Sequence, residues 1–323
     1  MPASNPFGVL DFLAWDHDWN NHHYSIRDVK RAAELMREAG VGFVRMDFLW
    51  SDLEPQEGQF DFTKYEALVE ILSGRGLGIL GVLHYNPTWR QGPWNAAPDS
   101  AAYGRYARAV VKHFKGSVAH WEIWNEPDHP IYWQPQDNLV AYSRLLKSVY
   151  PLIKLGNPDA KVLLGGLSNA VPDHLNHIYS LAGRNSFDIV NIHAFVSPLS
   201  ANPRMDLRHL YQELHRVMRH FGDSKKPVWV TETGCPGLRS PSSVRPWWQG
   251  PNPDEAQQAS WVKTMYAEML QWKGVEKIFW AFFRDTRNHF KDGTDGLGLV
   301  RHDFTPKPAY AAYQASARRF TSR

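Results

Sequence analysis

Two glutamates stand out by where they fall. Val118 to Asp128 reads Val-Ala-His-Trp-Glu-Ile-Trp-Asn-Glu-Pro-Asp, and Pro227 to Gly234 reads Pro-Val-Trp-Val-Thr-Glu-Thr-Gly. β-Branched and aromatic residues make each stretch a buried strand, and Pro127 stops the first. Glu126 and Glu232 therefore end two apolar strands. A lone carboxylate in such a place commonly caps a turn or pairs with a surface cation. Here Asn125 adds an amide beside Glu126, and the neighbouring tryptophans can exclude water from it. Two carboxyl groups in unlike surroundings, one holding a proton and one ionised, are the pair that cleaves glycosidic bonds.

Such a pair works only if the fold brings it together. Apolar segments at 7–12, 42–48, 77–85, 118–125, 161–167, 187–195, 228–232 and 277–283 read as strands. Amphipathic segments alternate with them, and Ser25 with Asp28 and Thr63 with Glu66 carry the spacing of capping boxes. Gly40 ends the first helix. Continuous apolar strands separated by helices imply a parallel sheet covered on its outside. Eight such units with no linker imply an α/β chain folded as a single (β/α)8 TIM barrel over residues 1–323. No G-x-G-x-x-G follows the first strand, which excludes the usual dinucleotide fingerprint. In a barrel the carboxyl ends of all strands share one mouth. Glu126 on the fourth strand and Glu232 on the seventh then face each other, at the roughly 5 Å separation of a retaining mechanism.

Other polar residues sit at matching strand ends: Arg45 and Asp47, His84 and Tyr85, His193, and Trp280. Arg45 is the nearest cation to keep Glu232 ionised, and it could equally neutralise a buried acid. Asn125 is placed to bond a sugar 2-hydroxyl. Consecutive residues on a regular strand point to opposite faces, so Asn125 and Glu126 can meet one sugar only if the strand bends there. Glu122 shares the parity of Glu126 but lies deeper, and reads as a structural acid needing a cationic partner. His84 and His193 are candidates for hydrogen bonds to the sugar or to the carboxylates. Trp280 is a candidate floor for the cleaved sugar, with barrel packing as the alternative. Fourteen tryptophans are many for this length, and Trp15, Trp19, Trp89, Trp94, Trp133, Trp247 and Trp248 fall in loops. Of these, Trp89, Trp133, Trp247 and Trp248 are candidate linings of flanking subsites. The loop 235–253, rich in Pro, Ser and Trp, follows Glu232 directly and is long enough to be functional.

Trp124-Asn-Glu-Pro127, Thr231-Glu232, and Arg45-x-Asp47-x-x-Trp50-x-x-x-Glu54-Pro55-x-x-Gly58 resemble the motifs of clan A retaining glycosidases. The chain looks most like glycoside hydrolase family 39, and Pro306-Lys-Pro-Ala-Tyr310 is similar to the start of the last helix in many clan members. The resemblance covers about residues 7 to 315. It implies Glu126 as acid/base and Glu232 as nucleophile, acting on an oligo- or polysaccharide without a cofactor. Clan relatives often bond the nucleophile with a Tyr near the end of strand six or seven. Here Ala194 and Phe195 follow His193, so that hydroxyl must come from elsewhere or be absent.

Composition excludes several other classes. Net charge is +3 with no long Lys/Arg run, so no nucleic-acid surface is expected. No apolar run approaches a membrane span, and the N-terminus lacks signal-peptide features. The expectation is a cytoplasmic protein unless an export signal preceded it, with no obligate protein partner. The one cysteine, Cys235, can form no internal disulfide. No metal site is expected. His174 and His177 lie on an outer helix, Asp292, Thr294 and Asp295 lack the terminal Glu of a calcium loop, and Asp16-His17-Asp18 replaces a His-x-His. The competing functions are a carbohydrate-binding barrel that has lost catalysis, a transglycosylase using the same site, and a metal-dependent hydrolase.

Overall fold

Eight parallel strands form one sheet: β1 (Phe7–Leu10), β2 (Phe43–Leu49), β3 (Gly78–His84), β4 (His120–Asn125), β5 (Lys161–Gly166), β6 (Val190–His193), β7 (Val228–Thr233) and β8 (Val275–Ala281). They run in the order β5-β4-β3-β2-β1-β8-β7-β6. Leu163 bridges Ile189, Leu167 bridges Ile192, and the His193 amide donates to Leu167 at 2.9 Å, which closes β5 onto β6. The computed structural model describes residues 5–18, 23–168, 171–290 and 292–321. Trp19 lies outside them.

The helices are α1 (Ile26–Ala39), α2 (Trp50–Leu53), α3 (Thr63–Ser73), α4 (Ser100–His113), α5 (Val140–Gly156), α6 (Val171–Ala182), α7 (Pro203–His220), α8 (Glu255–Met269) and α9 (Pro308–Thr321). The (β/α)8 TIM barrel expected from the alternation is the fold found, with short α2 as an addition. The Ser25–Asp28 capping box starts α1, and Gly40 ends it in the left-handed conformation at φ 84°. The second capping box does not form. The N-cap of α3 is Phe62, which has no side chain to offer, and Asp61 instead accepts from the Thr63 amide at 2.9 Å. Strand β6 is only four residues long, and its register against β7 shifts between Ile192 and His193.

The strands are buried on both faces, as their apolar runs require. Leu80, Leu163, Ile189, Trp229 and Phe279, with Phe43 against them, form a cluster from five of the strands and the residue before β6 that fills the barrel. Outside, α9 docks on β1 and α1: the Tyr313 hydroxyl donates to the Gly8 carbonyl at 3.1 Å and the Tyr310 hydroxyl to the Leu35 carbonyl at 2.8 Å. Cys235 is buried after β7, and burial pushes its thiol well above the usual range. No helix of the described residues is long and apolar enough to cross a membrane.

Candidate active site

The strand ends gather an interlocked polar group at the mouth. Arg45, on β2 and 2% exposed, donates from Nε and Nη2 to the two Glu122 oxygens at 2.7 and 2.9 Å. Its Nη1 donates to Glu232 Oε1 at 2.7 Å and its Nη2 to Asn125 Oδ1 at 2.8 Å. One planar guanidinium thus joins strands β2, β4 and β7. Burial opposes its charge, but Glu122 and Glu232 more than offset that and raise its pKa. Arg45 thus contacts both the buried acid Glu122 and Glu232. The Glu122 side chain is fully buried and also accepts from the Gly166 amide at 3.1 Å.

Glu126 and Glu232 are 12% and 13% exposed, so each keeps an edge toward the cleft that Glu122 lacks. His193 Nδ1 stands 2.7 Å from Glu126 Oε1, and its Nε2 stands 3.6 Å from Glu232 Oε1. An oxygen of each glutamate and a ring nitrogen of His193 lie within 4.8 Å of one another. Two carboxylates and an imidazole at that spacing are also a donor set a divalent metal could use. Burial raises Glu126 to about 8, and the charge of Asp128 adds to this. Burial also raises Glu232, where His193 and Arg45 pull the other way. Burial lowers the pKa of His193, which favours neutral imidazole.

The end of β4 is irregular, as two consecutive inward side chains require. Trp124 and Glu126 have positive φ, 68° and 42°, around Asn125, which still pairs with Gly166. Two left-handed residues break the alternation of the strand and bring Asn125 and Glu126 to the same neighbourhood. Gly166 is needed beside them, since a Cβ there would lie 2.0 Å from His193 Nε2.

The remaining expected residues divide. His84 Nε2 pairs with Asp47 Oδ1 at 3.0 Å, and the Trp15 indole donates to Asp47 Oδ2 at 2.8 Å. Trp89 is half-buried and donates to the Glu54 carbonyl at 2.7 Å, while Trp248 is 53% exposed. Trp133 and Trp247 are corrections. At 1% and 2% exposure they are packed into the core, Trp133 edge-on to Trp124 and Tyr142 and Trp247 edge-on to Trp248 and Phe195. Trp280 is wholly buried and donates to the Leu297 carbonyl at 2.9 Å, so barrel packing describes it as it stands.

The sequence alone does not single out Asp128 or Tyr132. Asp128, two residues past Glu126, is fully buried at its side chain, accepts from the Ser168 amide at 3.1 Å, and pairs with His174 Nδ1 at 2.9 Å. Tyr85 stacks on His84 at 3.9 Å, and Tyr132 feels the charges of Glu126 and Glu232. Nothing in the spacing signals His174.

Fold and site together define a parallel barrel with two opposed glutamates at its mouth. The chain belongs to the glycosyl hydrolase catalytic core family, whose model matches residues 96–313, and a β-galactosidase family model matches residues 18–91. It is 31% identical over 125 residues to endo-1,4-beta-xylanase A of Phanerodontia chrysosporium, covering 36% of this chain and 30% of that protein. It is 39% identical over 64 residues to beta-galactosidase BgaA of Clostridium cellulovorans, covering 20% and 10%. The chain thus matches at most about a third of the length of these curated relatives. Among solved structures, a family 39 glycoside hydrolase from Bacteroides cellulosilyticus WH2 aligns with TM-score 0.75 at 22% identity, over 97% of this chain and 63% of that one. The GH5_18 protein of Streptomyces cattleya, solved with GlcNAc, aligns with TM-score 0.78 at 17% identity, over 99% and 81%. The clan A fold expected from the motifs is the fold these neighbours share.

Proposed function

We propose that this barrel hydrolyses β-glycosidic bonds in an oligo- or polysaccharide by double displacement with retention, Glu232 acting as nucleophile and Glu126 as acid/base. The observation that carries this reading is the 4.8 Å limit on the separation of their oxygens. Retaining enzymes hold the two carboxyl groups about 5–5.5 Å apart, and inverting ones about 6.5–9.5 Å apart.

The sugar binds between the two glutamates. A Glu232 oxygen attacks the anomeric carbon while the bond to the leaving oxygen breaks, and Glu126 gives that oxygen its proton. Water then attacks the same carbon, giving its proton back to Glu126 as the bond to Glu232 breaks. Glu126, at about 8, holds the proton near neutrality. Arg45, donating to its Oε1 at 2.7 Å, stabilises ionised Glu232 against its burial. With His193 Nδ1–H donated to Glu126 Oε1, the acid proton is carried on Oε2, the oxygen not engaged by the imidazole. Asn125, held by Arg45, turns its amide N–H groups toward substrate as 2-hydroxyl partners.

The test is Glu232→Ala with added azide. The variant should lose at least about 10³-fold in kcat on an aryl glycoside, and azide should restore turnover as a glycosyl azide of inverted configuration. Hydrolysis that survives in Glu232→Ala removes Glu232 from the reaction. Loss of wild-type activity on chelation would favour the metal reading of the same three side chains. Product analysis with added sugar separates hydrolysis from transglycosylation, which shares every step but the last nucleophile.

A further inference from the structure

We propose that Trp94, Tyr132 and Tyr85 form a stacking platform for the sugar that departs, so that the leaving group this site is built for is a pyranose rather than a small alcohol. The proposal rests on the two-glutamate reading and adds the chemistry of the acceptor side.

Trp94 lies in the loop after β3 and is 47% exposed, an unusual exposure for an indole in a chain that buries most of its tryptophans. It is not loose. Its ring stands edge-on to Tyr85 at 4.6 Å and to Tyr132 at 6.4 Å. Tyr85 in turn stacks on His84 and meets Trp124 edge-on at 5.4 Å. The backbones are tied as well. The Asn86 amide donates to the Trp94 carbonyl at 2.9 Å, and the Trp124 indole donates to the Tyr132 carbonyl at 2.8 Å. Asn95 and Ile131 are joined at 2.9 Å, Gln134 and Asn95 at 2.9 Å, and Ala97 and Gln134 at 2.6 Å. The loops after β3 and β4 are therefore one stitched unit that presents aromatic surface without ordering it at the moment of binding.

Position decides which sugar this surface meets. Tyr132 lies six residues beyond Glu126 on the same loop, and burial together with the charges of Glu126 and Glu232 raises its phenol pKa. The acid delivers its proton to the leaving oxygen, so aromatic rings on the loop of the acid stand where the departing group must lie. The indole is half-exposed, and sugar rings bind indole rings through their C–H groups. His129, tilted against Tyr132 at 5.4 Å, borders the same surface with a polar group.

The experiment compares a glycosyl fluoride with a disaccharide of the same donor sugar, since fluoride leaves without a sugar on the acceptor side. Suitable pairs are β-xylosyl fluoride with xylobiose and β-galactosyl fluoride with β-1,4-galactobiose. In Trp94→Ala the ratio of disaccharide to fluoride kcat/KM should fall about tenfold, with most of it returned by Trp94→Phe. A ratio unchanged in an active Trp94→Ala enzyme overturns the platform while leaving the two-glutamate reading intact. A wild type inert toward such fluoride and disaccharide pairs of every common β-linked sugar overturns the underlying reading and the platform with it.

Discussion

A carboxylic acid that keeps its proton near neutrality needs a reason, and Glu126 has two: burial first, and the charge of Asp128 second. The sign of the pH dependence follows. kcat/KM should fall as pH rises through about 8, where Glu126 loses its proton. It should fall on the acid side as Glu232 gains one, at a pH above the ordinary 4.5 because burial raises that group too. Asp128→Asn removes the neighbouring negative charge, so the alkaline limb should move to lower pH, read from kcat/KM against pH on a disaccharide. A purely structural role for Asp128 would lower the whole profile and leave the limb in place. Glu126, Glu232, Arg45 and His193 were legible as candidates because each is a polar residue at or near the end of an apolar strand. Asp128 and His174 were not, since their meeting depends on a loop turning back under α6. Trp133 and Trp247 show the opposite error. Their loop location could be read, but whether a loop indole faces cleft or core is decided by tertiary packing.

At the scale of elements, the end of β4 departs most from regular structure. Left-handed backbone at Trp124 and Glu126 costs about 1–2 kcal/mol for each non-glycine residue, and the surrounding bonds must hold it. Period-two alternation identified the strand, and Pro127 marked its end, but no residue type announced two positive φ values before it. β5 supports the irregular end through Gly166, which pairs with Asn125 and donates to Glu122. Gly166→Ala would drive a methyl group into His193 Nε2 and push the imidazole off Glu126. The expected result is a drop of about 10²-fold in kcat on a disaccharide, with a smaller drop on a glycosyl fluoride that needs little acid assistance. The eight strands and their helices were readable because both faces of each strand are buried, leaving long apolar runs. The failed Thr63–Glu66 cap shows the limit of short motifs: Asp61 competes for the same amide and takes it.

The whole molecule works as a closed frame with one chemically active mouth. The cluster inside the barrel and the docking of α9 over β1 and α1 hold the strand ends to one geometry. That the strands close was implied by their number. Which loops are stitched to each other was not, because those bonds run between segments with no common sequence signature. The single thiol has a use that follows from this frame. Cys235 is fully covered three residues past Glu232, and burial disfavours its thiolate. A disulfide reagent should label it far more slowly than a free thiol at the same pH, and at a rate that climbs steeply as urea approaches the unfolding midpoint. The protein thus contains its own clock for opening. Its ticking can be timed with a colorimetric assay and no amino-acid substitution.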